Sequence, residues 1–481
     1  MNTATPRNAW SASLAALAIL VWLITFGDVW VQEMHGTAAF YAALAREMVV
    51  AGDFLAPFEG PQAYLLKPPL AFWLSAFSAH LFGLNDFAMT LPSRLAGLGC
   101  AALTFLLGRR LYGFTGGWFA ALVFVTNGIY IQFTTNFRMD SLMTLGALLT
   151  VWGYLHLHLT RGACYFFLGL AIATLTKGPM IFAIALVFIP HALVVGRWRE
   201  IDLRAAYWMG WLVFPLLWFG YLWLQHGAEV SAQLNADFWR ENSAFGLSAM
   251  DSAVLEYLVK PLNRLWPWQP FMLLGLGYAL AATLRGRAPR ELRADIALIL
   301  ALFVLNYGIA AIKPDPDVRY LYPSLPLLAV LTGGFFARFT ALWFSRWASR
   351  SVLGLIVLAT AFIAVTSYRA IPDQQGLSAI KILGASRTLT SANTVVLNDD
   401  IPPPDAPRRN DPLRDSAYFY LGFAPPNLRW PADAAALPPT VQFFVARRKR
   451  SYAARLLGLG LQPRARSAKL LLFEKRGEPA S

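Results

Sequence analysis

Long apolar runs with few polar interruptions dominate the chain from Trp10 to Tyr368. A bilayer-crossing helix needs about 20 mostly apolar residues. On that measure the pattern predicts spans near residues 10–27, 89–108, 114–133, 141–159, 164–179, 180–196, 205–225, 266–284, 295–312, 320–338 and 352–369. The expected fold class is therefore a polytopic α-helical membrane protein with about 11 to 13 transmembrane helices. From Ile371 onward prolines and charges return ("NDDIPPPDAPRRNDPLRD") and no apolar run is long enough to cross. There "NTVVLND", "TVQFFVARR" and "KLLLFEKR" read as short strands, and "SYAARLLGLGL" has helical spacing between two of them. The expected domains are a membrane domain over residues 1–370, with an outer juxtamembrane loop at 28–88, and a small soluble α/β domain over 371–481.

Composition agrees with this division. Hydrophobic residues make up 57% and charged residues 14%, well beyond the balance of an ordinary soluble domain. The net charge of +14 in such a chain reports cytoplasmic loops, so nucleic acid is not an expected partner. Cys100 and Cys164 lie in apolar runs and support neither a disulfide framework nor a metal cluster. No small-residue cleavage site follows the first apolar run, which is read as a helix rather than a removed leader.

Charge then sets the orientation. With the N-terminus in the cytoplasm, the loops carrying Arg109 and Arg110, Arg161, Arg197 to Arg204, Arg285 to Arg293, and Arg346 with Arg350 all fall inside. A full span at "PPLAFWLSAFSAHLFG" would invert every later loop. That stretch is expected to be interfacial or re-entrant, with Pro68 and Pro69 in its first turn. The C-terminal domain then lies outside, and so do Asp28, Glu33, Lys67, Asp140, Lys177, the loop from His226 to Arg264, and "KPDPDVRY". Ionisable residues gathered on one membrane face mark substrate pathways.

The stretch "FYAALAREMVVAGDFLAPFEGPQAYLLKPPLAFWLSAFSAHLFGLNDFAMTLPSRL" resembles the first outer loop of the lipid-linked-sugar glycosyltransferases, which include lipid A aminoarabinose transferases and protein O-mannosyltransferases. "RMDSLMTLGALL", "TLTKGP", "FWRENSAFG" and "RYLYPSLPLLAVL" extend the similarity over most of the membrane domain. The resemblance implies a GT-C fold in the bacterial inner membrane. It implies transfer of a sugar from a polyprenyl (undecaprenyl) phosphate donor to a lipid A, glycan or protein acceptor at the periplasmic face. Such chemistry needs a base for the acceptor hydroxyl and cations for the departing phosphate.

By that likeness Asp140 matches the acidic residue of the second outer loop and Lys67 the "KPP" lysine. The plainer readings are a helix cap for Asp140 and a snorkelling side chain for Lys67. The family's acidic pair in "DExxYA" is absent: Thr37 and Ala38 stand four and three residues before Tyr41. Glu33, one helical turn earlier, and Asp28 are the substitute acids, with helix-start electrostatics as their alternative. Lys177, Arg240 and Arg319 are candidate phosphate ligands beside Lys67, and Tyr41, Glu241 and Tyr320 are candidate substrate contacts. Leu66 stands where aminoarabinose transferases carry a glutamate, and His35, His80 and His226 lack ligand spacing, so no metal or other cofactor is expected, with a divalent ion left open. A transporter or flippase, or a relative that binds lipid-linked sugar without transferring it, is the competing class.

Overall fold

The computed structural model describes residues 6–27, 34, 37–59, 62–178, 185–196, 203–242, 265–285, 288–311 and 318–343. In the C-terminal part it describes 394–398, 427–429, 441–447, 453, 456–459, 461–466 and 470–474. Two compact units emerge: Met1–Asp28, Leu65–Ala71 and Thr90–Ala364 in the first, and Val29–Tyr64, Phe72–Met89 and Val365–Ser481 in the second.

Helices run in the order α1 (Pro6–Phe26), α2 (Thr37–Ala51), α3 (Leu70–Phe82), α4 (Asp86–Val125), α5 (Gly128–Thr134), α6 (Met139–Leu155), α7 (Thr160–Lys177), α8 (Ala185–Val195), α9 (Val213–Asn242), α10 (Gln269–Arg285), α11 (Arg290–Ala311) and α12 (Leu325–Trp343). Short 3₁₀ helices precede α9 (Leu203–Leu212) and α12 (Val318–Ser324). Among the described residues, Asp86–Val125 and Arg319–Ala341 are long and apolar enough to cross a membrane. Ten of the eleven expected spans overlap a described helix, and the one at 352–369 lies outside the described residues.

Where boundaries moved, local chemistry accounts for the shift. The spans expected at 89–108 and 114–133 form one helix kinked at Gly113, whose φ of 75° suits glycine alone. That helix stops at Val125, because the Asn127 side chain accepts from Ile129 N and starts α5. The stretch expected not to span is α3, thirteen residues long. At 1.5 Å per residue this is about 20 Å, short of the apolar thickness of a bilayer. Its helix begins at Leu70, so Pro68 and Pro69 precede the first turn instead of occupying it.

In the first unit α6 and α7 pack backbone to backbone. A Cβ added at Gly146 would lie 2.7 Å from Ala173 N and Gly169 O, and one at Gly169 would lie 2.5 Å from Gly146 O. Gly153 and Gly162 are equally confined, against Phe166 N and the His156 carbonyl. Glycines seven residues apart on each helix let the two backbones touch, in the small-residue packing that membrane helices favour. This antiparallel contact fixes the register of the hairpin.

In the second unit Phe40, Tyr41, Tyr64 and Phe72 form an aromatic cluster, with Tyr41 and Phe72 centroids 5.8 Å apart. In the same unit β1 (Phe58–Glu59) and β2 (Gln62–Ala63) pair antiparallel, and five further strands form a mixed sheet in the order β4-β3-β5-β7-β6, from β3 (Thr394–Asn398), β4 (Asn427–Arg429), β5 (Phe443–Arg447), β6 (Gln462–Arg466) and β7 (Leu470–Glu474). β3 pairs parallel with β4 and β5, and β7 pairs antiparallel with β5 and β6. Leu397, Phe444, Leu456, Leu461 and Phe473 form its core.

Candidate active site

The α6–α7 register brings the start of α6 against the end of α7. There Lys177 Nζ donates to Asp140 Oδ1 at 2.5 Å, with the carboxylate side chain 5% exposed and the lysine 22%. Asp140 is not the helix cap: Arg138 holds that position, with extended φ and ψ and no side-chain capping bond. Asp140 sits in the first turn, where the helix dipole favours an anion. Gly178, with φ of 93°, ends α7 immediately after Lys177.

A third element completes the group. Lys177 Nζ lies 5.8 Å from the Tyr320 ring centroid, and Arg319 stacks over the same ring at 4.9 Å while its Nη2 donates to the Tyr320 hydroxyl at 3.0 Å. Both residues belong to the 3₁₀ helix Val318–Ser324, which is held by Tyr322. That fully buried side chain shares a 2.9 Å hydrogen bond with Thr134 Oγ1, and its ring lies 5.6 Å from Phe133. Asn306 Nδ2 donates to Ser324 Oγ at 2.5 Å and ties the same turn to α11.

The structure therefore gathers Asp140, Lys177, Arg319 and Tyr320, four residues expected on the outer face. Lys67 lies half-buried in a bend of the first unit, and nearby Leu65 N donates to Gln233 Oε1 of α9 at 3.0 Å. Tyr41 belongs to the aromatic cluster of the second unit. Asp28 and Glu33 lie outside the described residues, as do the side chains of Arg240 and Glu241, whose backbone continues α9. Among the described residues no cluster of three or more His, Cys, Asp or Glu side chains could hold a metal ion.

Three residues escaped the sequence reading. Arg138, two positions before Asp140, stacks over Phe133 at 5.5 Å. Ser93 and Arg94, both inside "LPSRL", bind the backbone leading into α6. Their presence in a motif was the available signal.

The fold is that of a mostly helical, polytopic membrane protein with a charged cluster at one end of the α6–α7 hairpin. The chain resembles the polyprenyl-phosphate-sugar glycosyltransferases of the aminoarabinose and protein-mannosyl types. The family described as dolichyl-phosphate-mannose-protein mannosyltransferase matches residues 66–223. An undecaprenyl phosphate-α-4-amino-4-deoxy-L-arabinose arabinosyl transferase of Edwardsiella ictaluri is 26% identical, over 68% of this chain and 59% of its own length. An uncharacterized protein of Aquifex aeolicus is 24% identical over 67% of this chain and 62% of its own. The chain thus matches about three fifths of the length of these relatives. Among solved structures, ArnT from Cupriavidus metallidurans bound to undecaprenyl phosphate superposes with a TM-score of 0.68 at 16% identity, covering 96% of this chain and 98% of that one. The Archaeoglobus fulgidus oligosaccharyltransferase aligns at 0.52 and 11% identity over 92% and 69% of the two chains.

Proposed function

We propose that this protein transfers a sugar from a polyprenyl phosphate carrier to a lipid A, glycan or protein acceptor at the periplasmic face of a bacterial inner membrane. The observation that carries this reading is the pair of buried Asp140 and half-buried Lys177 beside Arg319 and Tyr320 in a GT-C fold. The acceptor hydroxyl gives its proton to a carboxylate while its oxygen bonds to the anomeric carbon. The bond from that carbon to the carrier phosphate oxygen breaks, and the phosphate leaves with one more negative charge. Asp140 is the proposed base, with Glu33 or Asp28 as the acid that shares or orients the role. Lys67, Lys177, Arg240 and Arg319 meet the phosphate, the arginines by a two-pronged fork and the lysines as point charges. Tyr320, Tyr41 and Glu241 contact substrate.

The membrane domain is proposed to contain 11 to 13 spans with a cytoplasmic N-terminus, and the C-terminal sheet to belong to a periplasmic α/β domain. The names of the curated relatives favour transfer over the transporter reading.

The deciding experiment is mass spectrometry of lipids from three host strains: one lacking the protein, one with it restored, and one carrying Asp140→Asn. A polyprenyl-phosphate sugar that accumulates in the first and third and falls in the second supports transfer, and its mass names the donor. Identical profiles while the donor is being made would remove the transferase reading.

A further inference from the structure

One face of α4 holds the whole segment that delivers Asp140. Ser93, Gly97 and Cys100 are spaced four and three residues apart, so they share a helix face. Each meets a different part of the stretch that runs from the end of α5 to the first turn of α6. Ser93 Oγ donates to Arg138 O at 3.0 Å and accepts from Arg138 N at 3.1 Å. A Cβ on Gly97 would collide with the Thr134 side chain, so that glycine lets α5 close onto α4. Cys100 Sγ reaches Ser141 O at 3.5 Å. From the other side, Ser141 Oγ donates to Phe133 O at 2.9 Å, closing the link on itself.

The two bonds from Ser93 are unusual in their target. Arg138 is the N-cap of α6 and supplies no capping side chain of its own. One hydroxyl from another helix satisfies both the N–H and the C=O of that cap residue, two positions before Asp140. The direction in which α6 leaves the cap sets where its first-turn carboxylate meets Lys177. Reacting groups tolerate little error: a displacement of about 1 Å can reduce rate by about a hundredfold.

We infer that Ser93 is a positioning residue: it acts through the Arg138 backbone to hold Asp140 in register with Lys177, an assignment that rests on the transferase reading above. Arg94 fastens the other end of the same link at Thr135 O, so the successive residues Ser93 and Arg94 divide one task.

The test compares Ser93→Ala and Ser93→Thr in the full-length protein in detergent, with two independent readouts. Hydrogen exchange of the peptide covering residues 136–141 reads the clamp without reference to activity. Loss of a buried hydrogen bond predicts exchange about tenfold faster in Ser93→Ala, with wild-type exchange in Ser93→Thr. Transfer kinetics with a polyprenyl-phosphate sugar read the consequence. The expected result is a kcat lowered about 10- to 100-fold in Ser93→Ala with KM within about twofold. Ser93→Thr should restore kcat, and in an Asp140→Asn background Ser93→Ala should cost nothing further. Unchanged exchange in Ser93→Ala would overturn the clamp by itself. Equal losses of kcat in the alanine and threonine variants would overturn it by assigning the effect to side-chain volume. Failure of the unmodified protein to transfer sugar would sink the transferase reading, while the exchange result still decides whether Ser93 holds the cap.

Discussion

The carboxylate of Asp140 and the ammonium of Lys177, 37 residues apart in the chain, meet at 2.5 Å across the open end of the α6–α7 hairpin. The pair is asymmetric, because the acid is almost fully buried and the lysine keeps partial access to water. Removing the lysine strands a buried charge; neutralising the acid leaves a cation that water can still reach. Lys177→Met is expected to lower stability by up to about 3 kcal/mol, and Asp140→Asn by about 1 kcal/mol. Activity should rank the other way. If Asp140 is the base, Asp140→Asn lowers turnover by about 10²- to 10⁴-fold. Thermal unfolding and single-turnover assays on both purified variants check the crossed ranking, and a parallel ranking would remove Asp140 from the base role.

The glycines of the hairpin make a second, separable prediction. Alanine at Gly146, Gly153 or Gly169 places a methyl against backbone atoms of the facing helix, so α6 and α7 must move apart. Overpacking of this kind costs about 1–3 kcal/mol, and the displacement also carries Asp140 away from Lys177. Gly220, inside α9 with nothing within 4 Å of a built Cβ, is the control. Gly220→Ala should be neutral or stabilising by about 0.5–1 kcal/mol. Melting temperatures of the four single variants give the comparison; destabilisation by Gly220→Ala equal to the rest would show that the hairpin contact is not limiting.

Much of this site is legible in the sequence. Hydropathy located α6 and α7 within a few residues, and charge placement put Asp140 and Lys177 on the same face. Their contact was not legible, since it follows from register, and the register follows from glycines whose seven-residue spacing was visible but unread. Ser93 and Arg94 stood in a recognised motif, yet their work is done on backbone atoms 41 to 69 positions away, which side-chain chemistry alone does not reveal. In the tail, β3, β5 and β7 carry the apolar runs that betray a strand. β4 is three residues long, and β6 contains Pro463 with a register shift before Ala465, so neither shows a pattern.

Arg94 supports a third prediction. Its guanidinium is fully buried and donates in three directions: to Thr90 Oγ1 at 3.1 Å, to Thr135 O at 3.0 Å, and to Thr25 O. These bonds join α1, α4 and the end of α5. A lysine offers one compact ammonium on a different path and cannot reach both carbonyls. Arg94→Lys should therefore leave at least one buried carbonyl bare, at about 1–3 kcal/mol. Thermal unfolding of the purified variant checks the loss. Wild-type stability would mean that water replaces the missing donor.

The far end of α6 carries a polar network with the opposite expected behaviour. Asp295 of α11 is buried and accepts from Arg110 Nη2 at 3.2 Å, while its other oxygen lies 3.7 Å from His191 Nε2. His191 Nδ1 in turn meets the Tyr154 hydroxyl at 2.8 Å, linking α4, α6, α8 and α11. Tyr154 stands fourteen residues along α6 from Asp140, about 21 Å at the helical rise. This end is therefore remote from the acid–lysine pair. Asp295→Ala leaves Arg110 and His191 without their shared carboxylate and should cost about 3 kcal/mol, the lower end of the range for a broken buried pair since Arg110 is partly exposed. Turnover per folded molecule should stay within about twofold, because sites separated by more than about 10 Å without shared partners act nearly independently. The measurement is melting temperature against turnover normalised to folded protein. A selective fall in turnover at unchanged stability would show that this network is coupled to the distant acid–lysine site.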